Sequence, residues 1–257
     1  MTWKNNKSAD LLEKNSRTIT GGVVSINRRI DPAVCFARGE GCRVWDEDGN
    51  EYIDYHAGFA PVLLGHNHPR VNDAVRQMLD RGAVHMGSGT TWYEGRLAEL
   101  LVEHIPAIMD LFVDPDPARR VLIAGTYNAH PLPTAAAIAT IEILAENDGQ
   151  VYRHTDAMGA RLERGLADVF AEKGIAAATA RQGSAFCTYF MDHEPRDWHD
   201  LAENHDADLD GRYRQALLRN GVYHFPMVTK QGSISLAHGE RDIDETLEIT
   251  RKGVAKL

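Results

Sequence analysis

The groups in this chain best suited to covalent or anion-binding chemistry are a hydroxyl near a helix start and an amine in a loop. The stretch "AGTYNAHPLPTAAAIATIEIL", residues 124–144, runs the end of a strand into Gly125-Thr126 and then into a proline-punctuated helix. A hydroxyl beside backbone N–H groups near a helix start is a sensible anion contact, and the same arrangement also makes a plain helix cap. Both readings stand for Thr126. An amine that attacks a carbonyl must first lose its proton, which a solvated lysine does not do at neutral pH. The chain has seven lysines: Lys4, Lys7, Lys14, Lys173, Lys230, Lys252 and Lys256. Six fall in the N-terminal arm, at helix ends or at the C-terminus. Lys230, in "PMVTKQGSISLAH", stands apart from them, and no lysine occurs between Lys14 and Lys173.

Other chemistries find no support in the spacing. "HMGSGTTWYEG" has Gly87 and Gly89 but lacks the GK[ST] of a phosphate loop, so it reads as a turn. No GxSxG elbow occurs. His193, His199 and His205 lie among Asp192, Asp200, Asp206 and Asp208 without a tight ligand spacing, which points to a solvated acidic surface and no metal. Cys35, Cys42 and Cys187 form no CxxC pair and leave one unpaired, so a disulfide framework is not expected and a reducing, cytoplasmic setting is. The formal charge of −9 carries no long basic run, which argues against nucleic acid. No leader-like apolar region opens the chain and no window approaches a membrane span.

The elements that must position these groups follow from periodicity. "CRVWDEDGNEYIDY" alternates around Asp48-Gly49 and predicts a β-hairpin. Pro69 opens a helix whose Val71, Ala74, Val75, Met78 and Leu79 share a face, and a second helix over 93–105 stripes Leu97, Leu100, Leu101 and Ile105. Further helices are expected from about Pro133 to Glu146 and from Val151 to Glu172, and in a polar region over 198–219. The last starts at Asp242, with Glu245 as a capping-box-like partner. "SAFCTYFM", "VYHF" and "SISLAH" read as strands. The division expected is an arm over 1–20, a part over 21–108, an acidic, proline-marked linker over 109–120, and a part over 121–257. The class is α+β: an N-terminal hairpin with helices and a C-terminal mixed sheet with helices.

Read together, "GGVVSINRR", "VWDEDGNEYIDYHAGFAPVLLGHNHPRVNDAV", "AGTYNAHPLPTAAAIATIEIL" and "LLRNGVYHFPMVTKQGSISLAHGERDIDETLE" resemble, in order, the class III pyridoxal-phosphate aminotransferases, most closely the glutamate-1-semialdehyde aminomutase branch. The resemblance covers nearly all of residues 20–255. It implies fold type I, with Ile108 joined directly to Met109 where family members carry their large cofactor-binding domain. Gone with that block are the phosphate loop, the stacking aromatic, the aspartate for the pyridinium nitrogen and the Schiff-base lysine. What remains resembles the small domain, assembled in the family from both chain ends.

The resemblance also implies roles. Gly125 and Thr126 match the segment that reaches the cofactor phosphate across the dimer interface. Ser25 and Arg28 match the pattern that binds the substrate carboxylate, where a guanidinium fork suits the anion, and Phe59 falls where a pocket aromatic stands. A surface arginine and a core phenylalanine are the plainer alternatives. Lys230 takes the place of an acidic active-site residue; it is either an exposed loop lysine or a replacement amine for pyridoxal 5'-phosphate. The function implied is transfer of an amino group from a small amine donor to a keto or aldehyde acceptor by a homodimer. The alternative is a non-catalytic dimerising remnant of the family.

Overall fold

The computed structural model describes residues 3–82, 89–106, 114–121 and 130–255. The described helices are α1 (Asn6–Ser16), α2 (Pro69–Asp80), α3 (Trp92–His104), α4 (Pro131–Ala145), α5 (Gln150–Glu172), α6 (Trp198–Asn204), α7 (Ala207–Arg219) and α8 (Glu240–Val254). The described strands are β1 (Phe36–Glu40), β2 (Arg43–Asp46), β3 (Glu51–Asp54), β4 (Ala178–Gln182), β5 (Ala185–Tyr189), β6 (Val222–Tyr223) and β7 (Gly232–Ser233). They fall into two compact units, Met1–His66 with Val151–Leu257, and Asn67–Gln150. The described part of the 109–120 segment, 114–120, lies within the second unit.

The first unit grows from the hairpin. Gly49 takes φ 85° in the turn between β2 and β3, a conformation cheap only for glycine. The neighbouring Asp48 accepts the N–H groups of Lys7 and Ser8 at 2.8 and 2.9 Å, capping α1 from forty residues away, a task Asn5 does not perform. The charged arm thus becomes a docked helix, with Leu12 packed on Gly22, where an added Cβ would meet Leu12 Cδ1 at 2.7 Å.

Pairing then joins the two chain ends. β1, β2 and β3 form an antiparallel meander, and β6 adds to β3 in parallel, with Ile53 opposite Val222 and Asp54 opposite Tyr223. The mixed sheet expected at the C-terminus is therefore shared with the N-terminal segment. The purely C-terminal sheet, β4-β5-β7, is antiparallel throughout. "VYHF" gives only a two-residue ladder and "SISLAH" contributes only Ser233 to β7, after which its donors bond elsewhere: Ile234 N–H to Ser184 O and Leu236 N–H to Leu63 O, each at 2.8 Å.

Alternation puts Ile53 and Val222 on one face of the first sheet, in a core with Leu162, Leu166, Val169 and Phe170 of α5, Tyr213 and Leu217 of α7, and Ile243 and Val254 of α8. The other face carries Val44, Tyr52 and Tyr223, packed with Leu218 and Phe225. α5 buries a continuous stripe from Val151 to Phe170, and Gly165 lets α8 come close.

Two expectations are corrected here. α8 begins at Glu240, and its cap comes from Asp242, whose carboxylate accepts Gly239 N–H at 2.9 Å; Glu245 is engaged instead by Arg43 at 2.8 Å. Nor is the His- and Asp-rich region only a solvated surface. Asp200 and Asp210 are buried, the first gathering His193 and Arg196, the second Arg214, His205 and Thr229. Each carboxylate sinks because its neighbours supply enough donors to replace water.

The second unit packs α4 against both α2 and α3, around Met78, Leu100, Ala135, Ala139 and Ile143. Arg70 and Glu146 (2.7 Å) and Arg96 and Glu142 (3.0 Å) pair across those contacts. Leu79, expected on the buried face of α2, is exposed, because α2 buries the side that carries Met78. Thr91 and Glu94 close a reciprocal capping box on α3.

Candidate functional site

At the end of β3 the chain turns through a loop organised by one carboxylate. Asp54, 5% exposed, accepts the N–H groups of His56 (2.8 Å) and Ala57 (3.1 Å) with Oδ1, while Oδ2 meets Nε2 of His66 at 2.7 Å. These bonds hold a run of left-handed backbone: Ala57 at φ 48°, Gly58 at 62°, Phe59 at 69° and Ala60 at 80°. Such a conformation is costly for a bulky residue and persists where surrounding bonds over-determine it, commonly at functional sites. Its result is that Phe59 projects its ring outward, 48% exposed, edge-on to His56 at 4.3 Å and 5.4 Å from Phe225. The plainer expectation of a core phenylalanine is set aside. His56 stacks on Phe225 at 4.7 Å, and burial holds its pKa below the ordinary histidine value, so the ring is neutral at pH 7.

Phe225 opens the segment that carries Lys230. Arg214 donates to Phe225 O at 3.0 Å, Asp210 accepts Thr229 N–H at 2.8 Å, and the Cys187 thiol faces Lys230 O at 3.7 Å. The backbone around Lys230 is therefore pinned, with Thr229 in the left-handed region at φ 57°, while the lysine itself is half-buried. Ser25 and Arg28 lie on the short 3-10 turn Ile26–Arg28 and just before it, with exposed side chains, joined by the bond from Arg28 N–H to Ser25 O at 2.9 Å. Gly125 and Thr126 lie outside the described residues.

The structure thus brings Phe59 to Phe225, five residues ahead of Lys230, and leaves Ser25 and Arg28 as a separate exposed pair. Asp54, His56, His66, Tyr223 and Phe225 were missed as a group. The signal was present in "IDYHAGFAPVLLGH", where an aspartate, two histidines and an aromatic flank one turn, but the partners Tyr223 and Phe225 lie far along the chain.

A pyridoxal phosphate site needs an amine, a phosphate cradle, and a partner for the ring nitrogen. Among the described residues, the Lys230 ammonium has no hydrogen bond or ion pair, and no set of N–H or cationic donors converges beside it. The one buried guanidinium near that segment, Arg214, is fully enclosed and already spent on Asp210 and Phe225 O. These residues do not fit the cofactor.

A model of the class-III aminotransferases matches residues 25–115. A glutamate-1-semialdehyde 2,1-aminomutase of Thermus thermophilus is 41% identical over 132 residues, 51% of this chain and 30% of that protein. The chain spans about a third of the length of the curated relatives it matches. An omega-transaminase from Sphaerobacter thermophilus superposes with a TM-score of 0.82 at 16% identity, over 96% of this chain and 97% of that one. A glutamate-1-semialdehyde aminomutase from Pseudomonas aeruginosa in complex with PMP superposes with a TM-score of 0.78 at 15% identity, over 98% and 94%. At those identities the superpositions speak for the fold, and the cofactor that goes with such a family is pyridoxal 5'-phosphate.

Proposed function

We propose, for a chain that belongs to the class III aminotransferase family, that it is the small-domain portion of such an enzyme with the cofactor domain left out between Ile108 and Met109. Its part in amino-group transfer between an amine and a keto or aldehyde acceptor is to present Phe59, Ser25 and Arg28 to substrate. The phosphate cradle and the reactive lysine then come from a partner chain that carries the missing domain.

The observation that supports this reading is the contrast between a finished fold and an unfinished site. The unit built from both chain ends closes its sheet by the β3–β6 pairing and buries its own core. Yet the described residues around Lys230 gather no donors for a phosphate. Transferases of this kind depend on the cofactor for the electron sink and on protein for holding it, so a chain that cannot hold it does not turn over alone.

The test is an absorbance titration of the purified chain with pyridoxal phosphate, followed by borohydride reduction and peptide mapping. The expected result is no saturable band for the chain alone and label scattered over several lysines. A saturable band lost in Lys230→Ala, with label confined to that residue, overturns the proposal in favour of a self-sufficient enzyme. The same titration with a family member containing the cofactor domain, in wild-type and Phe59→Ala forms of this chain, reads the partnership directly.

A further inference from the structure

On the Val44 face of the first sheet lies a cavity of about 330 Å³ that the proposed function does not use. Phe36, Val44, Asp54, His56, His66 and Tyr223 line it. The register explains why they meet. Gly39 stands opposite Val44, Val44 opposite Tyr52, and Asp54 beside Tyr223, so Gly39, Val44, Asp54 and Tyr223 share one face. Phe36 reaches the same face past an irregularity in β1 and sets its ring edge-on to Tyr223 at 4.8 Å. Arg38 also borders the cavity, but its guanidinium lies 3.4 Å over the ring of Trp45, which alternation places on the opposite face of β2. The charge turned toward the cavity is therefore that of Asp54.

The imidazole of His66 connects that charge to the open space. Because a carboxylate only accepts, its 2.7 Å contact with Nε2 places a proton there, so in the neutral ring the lone pair left to accept is that of Nδ1. His66 lies flat on β1 at Gly39, where an added Cβ would meet ring atom Cγ at 2.8 Å and Nδ1 at 3.0 Å. Among the described residues Nδ1 has no hydrogen-bond partner, and neither has the hydroxyl of Tyr223. Phe36, at 42% exposed, forms the rim.

We propose that this cavity binds a small organic ammonium ion bearing a single ring, the ring lying against the wall made by Phe36, Val44 and Tyr223 and the ammonium donating to Nδ1 of His66. The volume is at the small end of ligand pockets, about 300–1,000 Å³, and so suits one ring with a short arm. The Asp54 carboxylate behind the imidazole favours a cation over a neutral donor, and the aromatic faces add cation–π attraction. No lysine takes part and no bond is made or broken. The site is for binding, and it stands whether or not the chain handles pyridoxal phosphate.

The experiment is an amide-resolved NMR titration of the full chain with benzylammonium, benzyl alcohol and benzoate. Benzylammonium should give saturable shifts at Gly39, Gly58 and Tyr223. Benzyl alcohol should bind at least about tenfold more weakly, the difference that a charged hydrogen bond makes, and benzoate should give no shifts there. His66→Gln and Phe36→Ala should each weaken benzylammonium by about tenfold or more, and their own spectra report whether the fold is kept. If His66→Gln disturbs the fold, the rim variant decides. Equal binding of the alcohol, shifts confined to another surface, or unchanged affinity in Phe36→Ala overturns the assignment.

Discussion

Replacing Asp210 with alanine tests whether the segment that carries Lys230 is held by buried charge. Asp210 and Arg214 are both fully buried, and the carboxylate is shared among Arg214 Nε at 2.5 Å, Thr229 N–H at 2.8 Å and His205 Nε2 at 3.2 Å. Deleting it leaves the guanidinium without its counter-charge in a dry interior. Loss of one partner of such a pair costs about 3–5 kcal/mol, and an orphaned N–H at Thr229 adds ~1–3 kcal/mol when it cannot reach water. Thr229 lies at the surface end of the network and can relax, so the expected loss is about 4 kcal/mol, a large part of a typical domain's ~5–15 kcal/mol. In urea, with a slope near ~2 kcal/mol per molar, the midpoint should fall by about 2 M. Amide exchange at Thr229 and Lys230 should accelerate more than at Leu166 in the core. The double variant Asp210→Ala with Arg214→Met, which removes the stranded charge and keeps its volume, should recover most of the loss. A midpoint shift below roughly 0.5 M, or a double variant no better than the single one, would refute the account of a charge-pinned segment.

Gly165→Ala should destabilise the first unit, because an added Cβ would overlap Leu247 Cδ1. The overpacking penalty of about 1–3 kcal/mol outweighs the ~1 kcal/mol that alanine gains in a helix, and Leu247→Ala in the same chain should restore the midpoint. Stability should also fall as pH drops below 6.5. Burial, above all other causes, lowers His238 to about 4 and holds His224 well below its ordinary value, so the unfolded chain binds protons that the folded one refuses. The stabilisation is complete above the unfolded pKa and is lost between about 6.5 and 4, by roughly 3 kcal/mol for His238 alone. Urea midpoints near pH 7 and near pH 5 measure it, and a flat profile, or one unchanged in His238→Gln, contradicts it.

Local pattern made much of the fold legible. The alternation around Asp48-Gly49 specified the hairpin, and the apolar spacing from Val151 to Phe170 specified the longest helix, because each element buries one face against a core. Where an element depends on a distant partner, local pattern was silent or misleading. The cap of α1 is Asp48 and not a neighbour, and Glu245, whose spacing suits a capping box, is taken by Arg43 of the hairpin. "SISLAH" has the composition of a strand of six, yet only Ser233 joins the ladder before its donors turn to Ser184 and Leu63. The same holds for the site: a motif points to Phe59, whereas the aromatic wall of Tyr223 and Phe225 and the Asp54–His66 pair need the fold to bring them together.

The parallel pairing of β3 with β6 makes the fold tolerant of what lies between them. A parallel pair cannot be closed by a tight turn and needs a crossover, so residues 55–221 have only to return the chain to the same edge; their number and content are not dictated by the ladder itself. Loop-closure entropy grows only with the logarithm of length, about 0.6 kcal/mol per doubling, so removing a large insert from that crossover changes the cost of closing it little. Ile53, Val222 and the α5, α7 and α8 stripes lie outside the proposed gap between Ile108 and Met109, and their burial does not call on what was there. The fold can therefore stand without the block proposed to be missing, while cofactor chemistry, which needs donors converging within a few ångströms of one phosphate, cannot. That asymmetry between a tolerant core and an exacting site is why resemblance to a family and self-sufficient activity are separate statements for this chain.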